Sequence, residues 1–327
     1  MHVHLITDGS VEERPADELP ALIDKDDAIV WVDVPVGDEA AIAVLDEVLG
    51  LHRLAVKDCV ERNRVPKLHA YADHVFFVLH GPERGKGGHV HYIEMDQFVG
   101  RNYLVTVHGP INPAVDPAVT RLEVDAVLNR IKLGRLRPAN PYELSYAIVS
   151  AMARNMEAFV EAMTAEVWHL EQQVTGGDMG DPEPFLETLF RTRHGLLAVA
   201  TIAAQDREIY DRLATVARNA PPDAMPLLRD GVDQLGRISS LARAQRDYLQ
   251  GVIEFYRTRT DTKVAIAAER LAVIAVVTLP VTALASVYGM NIIVNTETDV
   301  VHLTFVVLVM VAMAALLLVW AKRQGWW

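Results

Sequence analysis

The residues with most chemical potential stand in an unusually apolar setting. Residues 271–290 read LAVIAVVTLPVTALASVYGM, without a single charge. Within that run Ala275, Leu279, Thr282, Ser286 and Gly289 recur at steps of three and four, so a helix gathers them on one face, mostly small or hydroxylated. A lipid-facing stripe has no use for Thr and Ser, whereas a wet axis does. Small residues also serve ordinary helix packing in membranes, and the residues alone leave both uses open. Elsewhere, His89 and His91 alternate on an expected strand and share a face that could bind a transition metal, with no third ligand at a useful spacing. The stretch 81–88, GPERGKGG, faintly resembles a phosphate loop. It has one residue too few between its glycines and no hydroxyl after its lysine, so it reads as a hairpin turn. Neither HExxH nor GxSxG occurs, no catalytic residue is assigned, and an enzyme is not expected.

The uncharged run covers about 20 residues, or roughly 30 Å of helix, which matches the hydrocarbon thickness of a bilayer. A second such run, LTFVVLVMVAMAALLLVWA, occupies 303–321. A charge at mid-membrane costs about 2.5–3.5 kcal/mol, so the absence of charge from both runs marks two spans. Arg257, Arg259, Lys263 and Arg270 precede the first, and Lys322 and Arg323 follow the second. The connecting loop, 291–302, holds Glu297 and Asp299 and no Lys or Arg. The positive-inside rule then puts both termini in the cytoplasm and the loop outside, in a multi-pass protein of the inner membrane. Trp320, Trp326 and Trp327 fit an anchor at the inner face.

The chain is 51% hydrophobic yet 23% charged, which the segregation of greasy and polar segments explains. A net charge of −12 argues against nucleic acid as a partner. The one cysteine, Cys59, forms no internal disulfide, and the soluble part reads as cytosolic. The opening MHVHLITDGSVEER lacks the pattern of a signal peptide.

Residues 1–138 read as a cytoplasmic α+β domain, sandwich-like, with strands at 2–7, 29–34, 74–79, 89–99 and 103–108 and helices near 38–49 and 113–133. A helical hairpin is expected over 139–222. Asn140-Pro141-Tyr142-Glu143 caps its first helix, which runs to about Val174, and Asp181 and Pro182 start the second, which Asn219-Ala220-Pro221-Pro222 ends. Between Pro226 and Pro280 there is no proline, so one very long stalk helix of the 223–290 segment can run into the first span, 271–290. Along it Leu235, Ile238, Ala242, Gln245, Leu249, Val252 and Tyr256 form a seam of alternating three- and four-residue steps. That seam suits bundling with copies of itself, or packing on the two preceding helices.

The first span ends in Tyr288-Gly289-Met290-Asn291, which resembles the signature of the CorA family of Mg²⁺ transporters. Its context agrees: Leu279-Pro280-Val281-Thr282 upstream, a short acidic outer loop, a second span and the basic tail 322–327. The resemblance extends to the N-terminal domain through HRLAVKD at 52–58, Arg64-Val65-Pro66-Lys67 and the strand beginning His74-Val75-Phe76-Phe77. It implies a funnel-shaped homopentamer whose first span lines a pore, whose second span rings it, and whose long helix forms a cytoplasmic stalk. Mg²⁺ sheds its octahedral water shell reluctantly, so a filter for it should offer neutral oxygens that grip coordinated water. Asn291 would provide a ring of amide oxygens, with Gly289 and Met290 completing the filter; Asn291 also suits a helix C-terminal cap. Leu271 and Leu279 could make apolar constrictions among the pore-lining residues Ala275, Thr282 and Ser286. Glu297 and Asp299 either concentrate cations at the outer mouth or are plain solvated acids.

The resemblance further implies a regulatory site where cytoplasmic Mg²⁺ binds between neighbouring subunits and holds the pore shut. Its ligands correspond to Asp58 and, on the stalk, Asp230 with Asp233 close by. Two features depart from the family pattern. Lys57 stands where a second acid is common, and Ala265 and Ala268 replace a polar ring and bulky Met near the start of the first span. Mg²⁺ is then both cargo and regulator, with Co²⁺ or Ni²⁺ as further cargo, and no organic cofactor is implied. The alternatives are a Zn²⁺ transporter of the related ZntB branch, which often varies the residue held here by Met290, and a non-conducting membrane sensor.

Overall fold

Alternation of apolar side chains builds a sheet that is covered on both sides. The structure, a computed structural model, describes residues 1–25, 27–35, 37–85, 88–110, 112–177, 182–216, 220–289 and 300–325. They divide into two units, Met1–Val252 and Ile253–Trp327. Among the described residues the strands are β1 His2–Thr7, β2 Ser10–Arg14, β3 Ile29–Val34, β4 Lys67–Ala70, β5 Val75–Arg84, β6 Val90–Val99 and β7 Tyr103–His108. They form one sheet in the order β2-β1-β3-β7-β6-β5-β4, in which β3 and β7 run parallel and every other neighbouring pair antiparallel. The helices are α1 Leu19–Ile23, α2 Glu39–Leu49, α3 Arg53–Val60, α4 Leu122–Lys132, α5 Pro141–Gly176, α6 Pro182–Val216, α7 Ala224–Gly289 and α8 Val300–Arg323.

Successive strand residues point to opposite faces. Ile29 and Trp31 of β3, with Phe77 and Leu79 of β5, enter a core shared with α4, α5, α6 and the first part of α7. Val30, Val32 and Val34, with Phe76 and Val78, enter a second core closed by α1, α2 and α3. The first unit is therefore three layers, helices–sheet–helices, with α5, α6 and the start of α7 supplying most of one layer. Between β3 and β7 the sheet encloses a polar chain: Trp31 Nε1 donates to Thr106 Oγ1 (3.1 Å), and Thr106 Oγ1 donates to Asp33 Oδ1 (2.7 Å). His108 Nε2 lies 2.8 Å from the same oxygen. Burial pushes the Asp33 carboxyl up, but His108, Thr106 and Arg121 outweigh it and hold the group below its usual range.

The strands at 2–7, 29–34 and 103–108 lie as expected, and the 89–99 strand begins one residue later, at Val90. Three expectations change. β2 and β4 were not anticipated, because SVEER and KLHA are short edge strands with mostly exposed or half-buried side chains, and edges need little hydrophobic pattern. β5 continues to Arg84, pairing Arg84 with Val90, so half of the supposed turn at 81–88 is strand. The expected helix at 113–133 is a 3₁₀ turn, Pro117–Arg121, followed by α4. α5 starts as read: the Asn140 side chain accepts from Glu143 N at 3.0 Å, and α5 continues past Val174 to Gly176, capped by Gly177 at φ +81°. Asp181 and Asn219, named for the second helix's ends, lie outside the described residues.

The seam of the long helix has a partner within the chain. Leu235, Ile238 and Ala242 are buried in the same core as α5 and α6, and Ser239 Oγ donates to Ala200 O of α6 at 2.9 Å. Intrachain packing, not a coil of copies, is what this periodicity serves up to Ala242. Gly231 permits the close approach, since a Cβ there would sit 2.4 Å from Tyr210 Cε1, while nothing lies within 4 Å of the same position at Gly251. Gly231→Ala should therefore destabilise the protein by about 1–3 kcal/mol through overpacking. Gly251→Ala should be neutral or stabilising by about 0.5–1 kcal/mol. Denaturant midpoints of the two variants in detergent check the contrast.

Candidate ion pathway and regulatory acids

The second unit begins within α7, whose residues from Leu271 to Gly289 carry one half-buried stripe on an otherwise exposed surface. Leu271, Ala275, Leu279, Thr282, Ser286 and Gly289 are all exposed in the single chain. Val273, Val276, Val277, Pro280, Val281 and Leu284 are half-buried and form a separate stripe. α8 has a stripe of its own: Val306, Met310, Met313, Ala314 and Leu317 are half-buried and Ala321 is buried. Both helices are long and apolar enough to cross a membrane. The hydroxylated positions are thus among those that the chain's own packing leaves open, together with Ile274, Val287 and Tyr288.

The hydroxyls on this helix are not bare. Thr282 Oγ1 donates to Thr278 O at 2.8 Å, and Thr278 Oγ1 to Ile274 O at 2.7 Å. A threonine that returns its proton to its own helix is tolerable in lipid, so hydroxylation alone does not demand a wet axis. Its oxygen lone pairs still face outward as acceptors. Gly289 ends α7, with nothing within 4 Å of where a Cβ would stand. Met290, Asn291, Glu297 and Asp299 lie outside the described residues, as do Trp326 and Trp327.

The acids expected to regulate have separate partners within one chain. Asp58, on α3, is half-buried, and its Oδ1 lies 2.9 Å from Lys67 Nζ at the start of β4. Asp230, on α7, accepts from the Tyr146 hydroxyl of α5 (2.6 Å) and from Gln234 Nε2 one turn on, both through Oδ2. Burial first, and then the Asp230 carboxylate, raise the Tyr146 phenol above its usual value, so it remains a donor at neutral pH. Asp233 is exposed. Lys57, the departure beside Asp58, pairs with Glu61, the residue that caps the end of α3, at 3.5 Å, an exposed contact. Among the described residues no three His, Cys, Asp or Glu side chains converge on a metal position. His91 lies over Gly85, and His89 precedes β6. Carboxylate oxygens are the donors Mg²⁺ takes, and it keeps several waters. Asp58 and Asp230 each have one oxygen engaged, so their donor chemistry fits such an ion.

A family profile described as CorA-like Mg2+ transporter protein matches residues 26–323. The chain belongs to this family. It is 25% identical over 307 residues to the protein YfjQ of Bacillus subtilis, covering 92% of this chain and 91% of that one. It is 24% identical over 252 residues to the cobalt/magnesium transport protein CorA of Thermotoga maritima, covering 75% and 68%. The complete CorA magnesium transporter of Methanocaldococcus jannaschii superposes with a TM-score of 0.81 at 14% identity, covering 100% and 99%. The full-length CmaX protein gives 0.78 at 16%, covering 100% and 98%. At such identities the structural likeness speaks to the fold. As a CorA-family member the protein is a membrane-embedded transporter of divalent metal ions, in a family of transporters and not of enzymes.

A buried acid cluster that sequence reading missed supports the CorA-family segment around Asp58. Asn63, just past α3, donates its backbone N–H to Glu94 Oε2 (2.8 Å) and its amide to both Glu94 Oε1 and Asp58 O (2.8 Å to the latter). Burial raises Glu94, and these bonds oppose the rise. Asp96, fully buried two residues on, is pushed well above the ordinary carboxyl value by burial and then by Glu94's charge. The thiol of Cys59 beside it is also driven up by burial and by Asp96. The folded protein therefore keeps a proton on Asp96 that the unfolded chain releases above about pH 4, so this group lowers stability as pH rises toward neutral. Asp96→Asn should raise Tm by a few degrees at pH 7 and leave it nearly unchanged at pH 4; thermal melts at both pH values check the slope.

Proposed function

We propose that this protein is a passive channel for Mg²⁺ influx across the cytoplasmic membrane, closed by cytoplasmic Mg²⁺. Five copies surround an axis, with the open face of α7 (Leu271, Ala275, Leu279, Thr282 and Ser286) lining the pore and α8 outside it. Both termini and the segments 1–138 and 139–222 lie in the cytoplasm. The observation that carries this reading is the uncharged, partly hydroxylated character of an exposed α7 face that carries Thr282 and Ser286, beside a stripe of Val273, Val276, Val277, Pro280, Val281 and Leu284 that is already half-buried. A family match over residues 26–323 supports the same assignment.

At the outer end, Gly289, Met290 and Asn291 form the filter. An amide ring hydrogen-bonds coordinated water and leaves the inner shell intact, so binding stays shallow enough for release. Glu297 and Asp299 raise the local cation concentration at the mouth. Asp58 of one subunit faces Asp230 and Asp233 of its neighbour. Two facing carboxylates repel, and a divalent ion replaces that repulsion with attraction. The ion stabilises the closed interface in proportion to RT ln(1 + [L]/Kd). The name of the Thermotoga maritima relative supports Co²⁺ as a further cargo. The intact Gly289-Met290-Asn291 run supports the magnesium reading over a ZntB-like zinc reading.

Mg²⁺ flux into liposomes tests the filter. Asn291→Ala should reduce Mg²⁺ flux at least about tenfold, the loss expected when a coordinating ring worth about 1.4 kcal/mol or more is removed. Undiminished flux with unchanged selectivity would remove the filter assignment.

A further inference from the structure

Of the three acids assigned to regulation, Asp58 stands 2.9 Å from a cation of its own chain, the ammonium of Lys67. The pair is sheltered, with side chains 31% and 24% exposed, so salt screens it less than a surface contact. The lysine is also held from behind. It is the first residue of β4, in register with Val78 of β5, and its backbone is fixed by the sheet. On the other side Asn63 ties the backbone carbonyl of Asp58 to Glu94, which fixes the main chain from which the carboxylate projects.

Building on the assignment of Asp58 as a regulatory ligand, we infer that Lys67 is a built-in competitor for the divalent cation at Asp58 and sets the concentration at which cytoplasmic Mg²⁺ engages. A divalent ion reaching Asp58 must either displace the ammonium from Oδ1 or bind the other oxygen beside a positive charge. Both routes oppose binding by Coulomb repulsion or by loss of the ion pair. The lysine also neutralises Asp58 when Mg²⁺ is scarce, so the unliganded site does not carry a bare sheltered carboxylate. Lys67 is thus a threshold-setting residue that need not touch the ion.

The test uses the full-length protein in detergent and in liposomes, with MgCl₂ as the probe. Two midpoints are read: Mg²⁺-dependent protection from limited chymotrypsin cleavage, and Mg²⁺ inhibition of flux. Lys67→Met should lower both midpoints roughly three- to tenfold, and Lys67→Arg, which keeps the charge, should stay near wild type. Lys67→Gln serves in its place if the methionine variant fails to fold. Asp58→Asn should raise the midpoints, and adding Lys67→Met to it should produce no further shift. If Asp58→Asn weakens the Mg²⁺ response while Lys67→Met and Lys67→Gln leave the midpoints unmoved or raise them, the ligand assignment stands and the competitor role is overturned. If Asp58→Asn leaves the response intact, the ligand assignment falls and the role of Lys67 with it.

Discussion

A charge at the middle of a bilayer costs about 2.5–3.5 kcal/mol, and that cost governs how a transporter of doubly charged ions can be built. The uncharged stretch of α7 from Leu271 to Gly289 carries its polarity in hydroxyls and backbone carbonyls alone. Thr278 and Thr282 return their protons to the helix and keep acceptor lone pairs outward. Neutral acceptors of this kind suit a hydrated Mg²⁺, whose outer shell presents hydrogen-bond donors. Residues 271–289 accordingly contain no carboxylate.

The first unit, Met1–Val252, manages its charges by a different rule. Buried acids there are either paired, as Asp33 is with His108 and Arg121, or kept neutral, as Asp96 is by burial and by Glu94. Asp58 lies at the edge of this system, tied through Asn63 to Glu94 and through its own side chain to Lys67. Asp230 is likewise held, by Tyr146 and Gln234. In each case these side-chain contacts engage one of the two carboxylate oxygens.

Much of the fold was legible because it depends on local pattern. β1, β3 and β7 emerged with their observed bounds from runs of β-branched and aromatic residues, and α5 from Asn140 capping ahead of Pro141. β2 and β4 were not legible, since an edge strand such as SVEER is stabilised by its neighbour's backbone and not by its own side chains. The seam at Leu235, Ile238 and Ala242 shows a different limit: periodicity reveals that a helix face is buried but not against what, and α5 and α6 proved to be the cover. At the candidate site, the signature Gly289-Met290-Asn291 and the acids were legible as family features. The Lys67–Asp58 pair and the Asn63–Glu94 clasp were not, because they join segments that only the sheet brings together.

The central claim is that the open face of α7 borders water. Single cysteines placed along α7 in a Cys59→Ser background, treated in liposomes with a water-soluble methanethiosulfonate reagent, test it most directly. Cysteines at Ala275, Thr282 and Ser286 should label at least about tenfold faster than those at Val273, Val277 and Leu284, and labelling should block Mg²⁺ flux. Equal labelling on both faces, or an inert hydroxylated face with flux intact, would contradict the account.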